Sequence, residues 1–360
     1  MLFVPVVDNN QKPLMPTTAN RAARWIKSGK GTPFWKRGVF CVRLNIEPSA
    51  RTTQVIAAGI DSGSKKEAFT AKSDSHTYIN IQLDAVTWVK DAVETRRNLR
   101  RSRRNRNTPC RQNRRNREVG FRLAPSTRAR WNWKLRIANW LQRMYPITAF
   151  VVEDICATTK KGCRKWNRSF SPLENGKRYF YAELRKLGIV ETKEGWETKE
   201  LRDAHGLKKS KSKMAEIFEA HCVDSWVLAN WYVGGHTKPD YTRMLCITPL
   251  RFHRRQLHMQ NFAKSGVRKT YGGTMSLGFK RGSLVKHASK GLVYVGGTSK
   301  GRISLHEIGT GRRLGQSFRV EDCKFLSYNS WNPRLLPIAK ARGIRLGESD
   351  DCSRPYSINA

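Results

Sequence analysis

Acidic side chains are scarce in this 360-residue chain: 28 Asp and Glu stand against 69 Lys and Arg, a formal net charge of +41 at pH 7. Such an imbalance sets the chain apart from ordinary soluble metabolic enzymes and demands a polyanionic partner. Long apolar runs are also missing. Stretches such as Ile147 to Val152 end at a charged residue, far short of the ~20 residues that span a bilayer, so no membrane association is expected. The opening MLFVPVVDNN lacks a basic n-region and a long apolar core, which argues against export and for a cytoplasmic location. The eight cysteines (41, 110, 156, 163, 222, 246, 323 and 352) contain no C-x-x-C pair, which excludes the usual structural zinc sites and leaves reduced thiols as the expectation.

What the chain does have is enough apolar matter to fold. With 39% hydrophobic and 10% aromatic residues it can build cores for two or three domains and is not a basic tail. Its charge peaks between Arg96 and Arg117, where 11 of 22 residues are Arg and none is acidic. Residues 84–106 suit a helix, with Val86, Trp88, Val89 and Val93 ahead of the run and Pro109 as a stop. On it Arg96, Arg97, Arg100, Arg101, Arg103, Arg104 and Arg106 point nearly all round, and Arg111, Arg114, Arg115 and Arg117 follow. A helix basic on every side cannot lie on an apolar core. Either the segment is an unstructured arm on nucleic acid, or it is a helix threaded between strands of a shaped RNA, where Arg forks engage phosphates.

Organisation follows from the patterning. A basic helix is expected over 20–30. QVIAAGID, KKEAFTA and HTYINIQL then form three short strands separated by Gly, Ser and Asp turns, an antiparallel meander. Ala129 to Tyr145 has helical spacing of apolar residues, ITAFVVED is a strand ending in two acids, and residues 213–232 resume an amphipathic helix. Strand, strand, strand, helix, strand, helix is the order of a ribonuclease H-like α/β fold. Residues 156–213 read as an exposed connector with short helices. Beyond about Cys246, Gly-rich β-prone pieces suggest a small barrel or sheet.

Against such charge, acids at strand ends stand out. Asp61 follows VIAAGI, Glu153 follows TAFVV, and Asp224 lies on a helix three residues after His221. Carboxylates at the ends of adjacent strands converge at one sheet edge, where two Mg²⁺ ions find hard oxygen ligands and cleave phosphodiesters. His221, expected on the same helix face as Asp224, would orient or deprotonate the attacking water. Each residue alone has a structural explanation: a turn cap for Asp61, a solvent-facing strand end for Glu153, a core histidine for His221. The joint order, in so basic a chain, favours the catalytic one.

VDNNQKPLMP, carrying Lys12, Pro13, Leu14, Met15 and Pro16, resembles the PLMP motif of the transposon-encoded IscB proteins. AAGIDSGS resembles their first RuvC motif, the Arg run their bridge helix, FVVED the second motif and HCVDS the third. The tail GFKRGSLVK resembles their C-terminal region more loosely. The interval 154–220, where IscB proteins carry an HNH nuclease, holds a single histidine, His205, and the chain is thereby similar to IsrB, the HNH-less relative.

That resemblance implies a PLMP domain over 1–52, RuvC-like parts over 53–90, 119–160 and 211–246, a bridge helix over 91–118, a connector replacing HNH over 161–210, and a C-terminal domain over 247–360 that reads a target-adjacent motif. It further implies metal ligation by Asp61, Glu153 and Asp224 with help from His221. The partners would be a structured omega guide RNA and double-stranded target DNA, bound by a monomeric, nucleoid-associated ribonucleoprotein that nicks the non-target strand. Arg251, Lys280, Arg281, Lys286 and Arg302 are candidate motif readers, or phosphate contacts. A noncatalytic RNA-binding accessory protein and a guide-independent, structure-selective nuclease are the rivals.

Overall fold

The computed structural model describes residues 3–104, 123, 125–156, 172–249, 258–259, 269–270, 275–308, 310–328 and 331–336. The chain begins with a four-stranded sheet made of β1 (Phe3–Val7), β2 (Pro13–Thr18), β3 (Gly31–Lys36) and β4 (Val39–Leu44), in the order β2-β1-β4-β3. Helix α1 (Ala19–Lys27) crosses it, capped by the Thr18 hydroxyl. The PLMP residues thus form β2, and Leu14 is buried against Val6 and Leu44.

The centre is a seven-stranded sheet. Strands β5 (Ile56–Asp61), β6 (Lys66–Lys72) and β7 (Thr77–Asp84) form the expected antiparallel meander. After α2 (Val89–Arg104) and α3 (Pro125–Gln142), β8 (Ile147–Asp154) pairs parallel to β5. After α4 (Pro172–Leu184), β9 (Ile189–Glu194) pairs parallel to β8. The run β7-β6-β5-β8-β9 is 3-2-1-4-5 with only the second strand reversed, the topology of the ribonuclease H-like fold. β10 (Met244–Pro249) joins parallel to β7, and β20 (Trp331–Leu335) closes that edge antiparallel to β10.

α3 packs on one face over Ile60, Phe69, Ile81 and Phe150. The other face carries α6 (Cys222–Val233), preceded by a single 3-10 turn at Phe218–Ala220. A tight backbone approach seats α6 on the sheet: a Cβ on Gly59 of β5 would stand 1.9 Å from the Ser225 carbonyl oxygen. Buried Lys72 pins the same helix by donating to Asn230 Oδ1 at 2.7 Å and to the Gly234 carbonyl at 2.8 Å. Between β10 and β20 the chain forms two short ladders, β11 (His258–Met259) with β12 (Lys269–Thr270) and β13 (Met275–Ser276) with β14 (Phe279–Lys280). It then builds a five-stranded antiparallel sheet from β15 (Ser283–His287), β16 (Gly291–Ser299), β17 (Arg302–Glu307), β18 (Arg313–Phe318) and β19 (Cys323–Tyr328), around Val285, Val295, Ile303 and Leu305.

Several expectations need correction. Residues 161–210 are not merely a connector: they supply α4, the fifth fold strand β9 and helix α5 (Gly195–Ala204). The segment 247–360 is not separate from the central seven-stranded sheet, because β10 runs across its boundary and β20 returns to the core. The helix expected from residue 84 starts at Val89, since Asp84 is still in β7, paired with Lys66 across the strands and accepting from Thr248. The helix over 213–232 shrinks to α6, and it is not amphipathic, for Cys222 to Asn230 are all buried between the sheet and the α5 side of the molecule. No helix among the described residues is long and apolar enough to cross a membrane.

Candidate active site

Parallel pairing of β5 and β8 sets Ile60 opposite Val152, so the next residues, Asp61 and Glu153, emerge side by side at one sheet edge. Alternation along the strands turns both toward α6, while Asp154 points the other way. There Asp154 accepts from Tyr181 at 2.7 Å and pairs with Lys177 at 2.8 Å, which removes it from the cluster. α6 brings Asp224, fully buried, over the same edge. Asp61 and Glu153 share a hydrogen bond there, and Asp224 is near enough for its charge to act on Glu153.

Their environment is strongly coupled. Burial pushes the Glu153 carboxyl up to about 8, reinforced by the charge of Asp61, their shared hydrogen bond and the charge of Asp224. Glu153 therefore carries the proton and donates to Asp61. For Asp61, burial acts upward, yet the hydrogen bonds from His221 and Glu153 and the charge of Lys209 outweigh it and hold its pKa below the usual carboxylate value. Asp224 is gripped by two cations: Arg202 of α5 donates to Oδ1 and Lys209 to Oδ2.

His221 sits at the N-cap of α6 in non-helical backbone (φ −141°, ψ −35°), so it does not share a helix face with Asp224. Its Nδ1 lies 2.7 Å from Asp61 Oδ2 and its Nε2 2.9 Å from the Lys213 carbonyl oxygen. A carbonyl only accepts, so Nε2 bears a proton, and the ionised Asp61 takes the other. Burial lowers the His221 pKa, but the Asp61 hydrogen bond and charge raise it further than burial lowers it. Both ring nitrogens of His221 are thus engaged in this structure, and its contact with Asp61 orients that carboxylate. His205 packs edge-on to Trp226 and meets the Thr237 carbonyl, away from the carboxylates.

The donor chemistry fits Mg²⁺. Asp61 and Glu153 offer hard oxygens, and the crowding that keeps Glu153 protonated is relieved by a divalent cation. Among the described residues no group of three His, Cys, Asp or Glu side chains is already set around an ion position, because Asp224 is turned to Arg202 and Lys209. Those two cations were invisible in the sequence, two among 69 basic residues without distinguishing spacing.

Of the arginine-rich segment, α2 carries Arg96, Arg97, Arg100, Arg101, Arg103 and Arg104, with Arg97 and Arg101 exposed. Arg106, Arg111, Arg114, Arg115 and Arg117 lie outside the described residues, as does Arg251. Lys280 of β14 is exposed with its ammonium 4.5 Å from the Tyr328 ring centre, Lys286 of β15 is exposed, and Arg281 and Arg302 are half-buried.

A family model described as "RRXRR protein" matches residues 4–163, a span that includes Arg100-Arg101-Ser102-Arg103-Arg104 and ends before Asp224. No curated protein matches the chain. Among solved structures, RuvC of T. thermophilus in complex with a Holliday junction substrate aligns at 11% identity over 51% of this chain and 98% of its own, with a TM-score of 0.28. A second Thermus thermophilus RuvC structure aligns at 12% over 49% and 91%, TM-score 0.26. The yeast mitochondrial Holliday junction resolvase Ydc2 aligns at 12% over 49% and 77%, TM-score 0.26.

Proposed function

We propose that this protein is an RNA-guided, Mg²⁺-dependent DNA nickase, in which an omega-type RNA selects the target and one ribonuclease H-like site cuts the displaced, non-target strand. The observation that carries the reading is the meeting of Asp61, Glu153 and Asp224 at one edge of a 3-2-1-4-5 sheet in a chain of net charge +41. The RRXRR match, a family found among IscB- and IsrB-type proteins, supports the guided form of the activity, as do the PLMP strand and the basic helix α2.

Asp61, Glu153 and Asp224 would hold the ions, which when bound supply water activation and neutralise charge at the scissile phosphate. Glu153 gives up its proton as it takes on that role. His221, through its hydrogen bond to Asp61, would keep that carboxylate aimed. Arg202 and Lys209 hold both Asp224 oxygens in this structure, and Asp224 would turn at least one of them from its cation to ligate an ion. Guide pairing would supply sequence choice, while the protein grips the A-form backbone through charge.

The test is to express the chain with its flanking locus, wash it at high salt, sequence the RNA that stays bound, and assay nicking with Mg²⁺. One discrete structured RNA, guide-dependent nicking of one strand, and loss of nicking with retained RNA binding in Asp61→Ala are the expected results. Activity without added RNA would leave a guide-independent nuclease, and no activity under any condition a binding protein.

A further inference from the structure

Arg202 and Lys209 each take one oxygen of the buried Asp224, yet the two cations are not equivalent. We propose that Lys209 is a substrate-contacting residue of the nicking reaction: as Asp224 gives Oδ2 to an ion, the Lys209 ammonium passes from that oxygen to the scissile phosphate of the cut strand, while Arg202 stays on Oδ1. The inference rests on the nuclease reading of the carboxylates and deepens it.

Arg202 is the fixed member. It lies in the last turn of α5, and the start of the same helix abuts the cluster too, since a Cβ on Gly195 would stand 3.4 Å from Glu153 Oε1. A capping box between Glu194 and Glu197 secures that start. The helix therefore spans the site from Glu153 to Asp224, and its Arg202 side chain is only 13% exposed. Lys209 is the movable member. It follows α5 in a stretch, residues 207–210, that is neither helix nor strand, and its side chain is 29% exposed. Its charge rides on a flexible four-carbon stem, a point charge without the planar fork that fixes Arg202.

Electrostatics give the exchange its direction. The Lys209 charge acts on Asp61 and Glu153 as well as on Asp224, so the ammonium stands in the field of the whole cluster. Once that field is neutralised by a divalent cation, the ammonium is repelled from Oδ2, and the anion left to it is the phosphate being cut. Its surroundings suit a chain of phosphates. Lys208, Lys211 and Lys213 are exposed on the same stretch, which runs on to His221, where Nε2 meets the Lys213 carbonyl oxygen. Phosphate is the anion that every nucleotide brings, so the contact is independent of base.

The experiment has two readings. Mn²⁺ binding to the full chain freed of nucleic acid is followed by electron paramagnetic resonance, and the difference from Asp61→Ala isolates the carboxylate site. Single-turnover nicking at saturating Mg²⁺ is measured on the full chain with its copurified RNA. Lys209→Met removes both the competitor for Asp224 and the partner of the phosphate. It should bind Mn²⁺ about tenfold more tightly than wild type. It should also nick slower, on the order of tenfold or more, at saturating metal. A residue that merely supported the fold would lower affinity and rate together. Lys209→Arg, which keeps a cation, should nick faster than Lys209→Met, and Lys209→Gln repeats both measurements should the methionine variant melt early. Unchanged or weaker Mn²⁺ binding in the neutral variants, or unchanged nicking at saturating metal, overturns the exchange and leaves the nuclease intact. A wild-type chain with neither Asp61-dependent Mn²⁺ binding nor nicking overturns the nuclease reading and the exchange with it.

Discussion

Replacing Gly59 by alanine places a methyl where β5 and α6 touch through their backbones. The added Cβ would stand 1.9 Å from the Ser225 carbonyl oxygen and 2.8 Å from the Ala229 nitrogen, both main-chain atoms that no rotamer change can move. Ordinary contact begins near 3.4 Å, so α6 must lift from the sheet by about 1.5 Å. Asp224 precedes Ser225 and Asp61 lies two residues beyond Gly59, so the lift falls on the separation of the two carboxylates. Overpacking of this kind costs about 1–3 kcal/mol of stability, and a misplacement near 1 Å costs on the order of 10²-fold in rate. Two measurements separate the effects: the melting temperature, and the single-turnover nicking rate with Mg²⁺. Gly29→Ala is the control. Gly29 has φ +71° and open space around its Cβ position, so alanine there strains the backbone, at roughly 1 kcal/mol, far from the site. Gly29→Ala should lose stability and keep the rate, while Gly59→Ala loses both. A Gly59→Ala protein with wild-type rate would refute the claim that direct contact of β5 and α6 sets the carboxylate geometry.

The pH response of the metal-free chain tests the carboxylate cluster. Glu153 titrates near 8 when folded and near 4.5 when unfolded, so between those values the folded chain holds a proton that the unfolded chain has released. Its contribution therefore falls as pH rises through that window, by on the order of a few kcal/mol in all. Glu153→Gln removes the loss, and its melting temperature in EDTA should gain on wild type steadily from pH 5 to pH 8; a constant difference would contradict the coupling. Lys134→Met strands the buried Glu67 carboxylate and should destabilise the chain by about 3–5 kcal/mol in denaturant unfolding, with Glu67→Leu added to it restoring most of the loss. If the double variant is no better than the single, the pair is not the source of the cost. Arg97→Ala and Arg101→Ala, exposed on α2, should each lower the slope of log K for RNA against log salt by about 1. Unchanged slopes would mean that this stretch of α2 does not meet phosphate.

The meander and β8 were legible because they are apolar runs cut by turn residues, and Asp61 and Glu153 because acids at the ends of such runs are rare in a chain this basic. β9 was not. Its residues IVETKE are mostly exposed, and only backbone pairing with β8 makes them a strand, which composition does not record. β20 escaped for a related reason: its neighbour β10 is distant in sequence, and Pro333 within it reads as a breaker, tolerated because the strand lies at an edge. The role of His221 also needed coordinates. The His-x-x-Asp spacing suggested one helix face, whereas the helix begins one residue later and the imidazole reaches across to β5.

β20 gives the molecule an order of assembly. Trp331 at its start is fully enclosed, edge-on to Trp133 and Trp140 of α3 with the Arg37 guanidinium over its ring, and its neighbour Pro333 abuts Gly38 of the first sheet. The gap between those two tryptophans is filled by a residue made long after everything around it. While the ribosome is still extending the intervening β-rich stretch, the central sheet lacks its edge strand β20 and the Trp331 side chain. The five-stranded sheet lies in sequence between β10 and β20, so the pairing of those two strands closes a loop around it. A product stopping short of Trp331 would retain Asp61, Glu153 and Asp224 yet lack the edge strand β20 and the aromatic side chain that packs between Trp133 and Trp140.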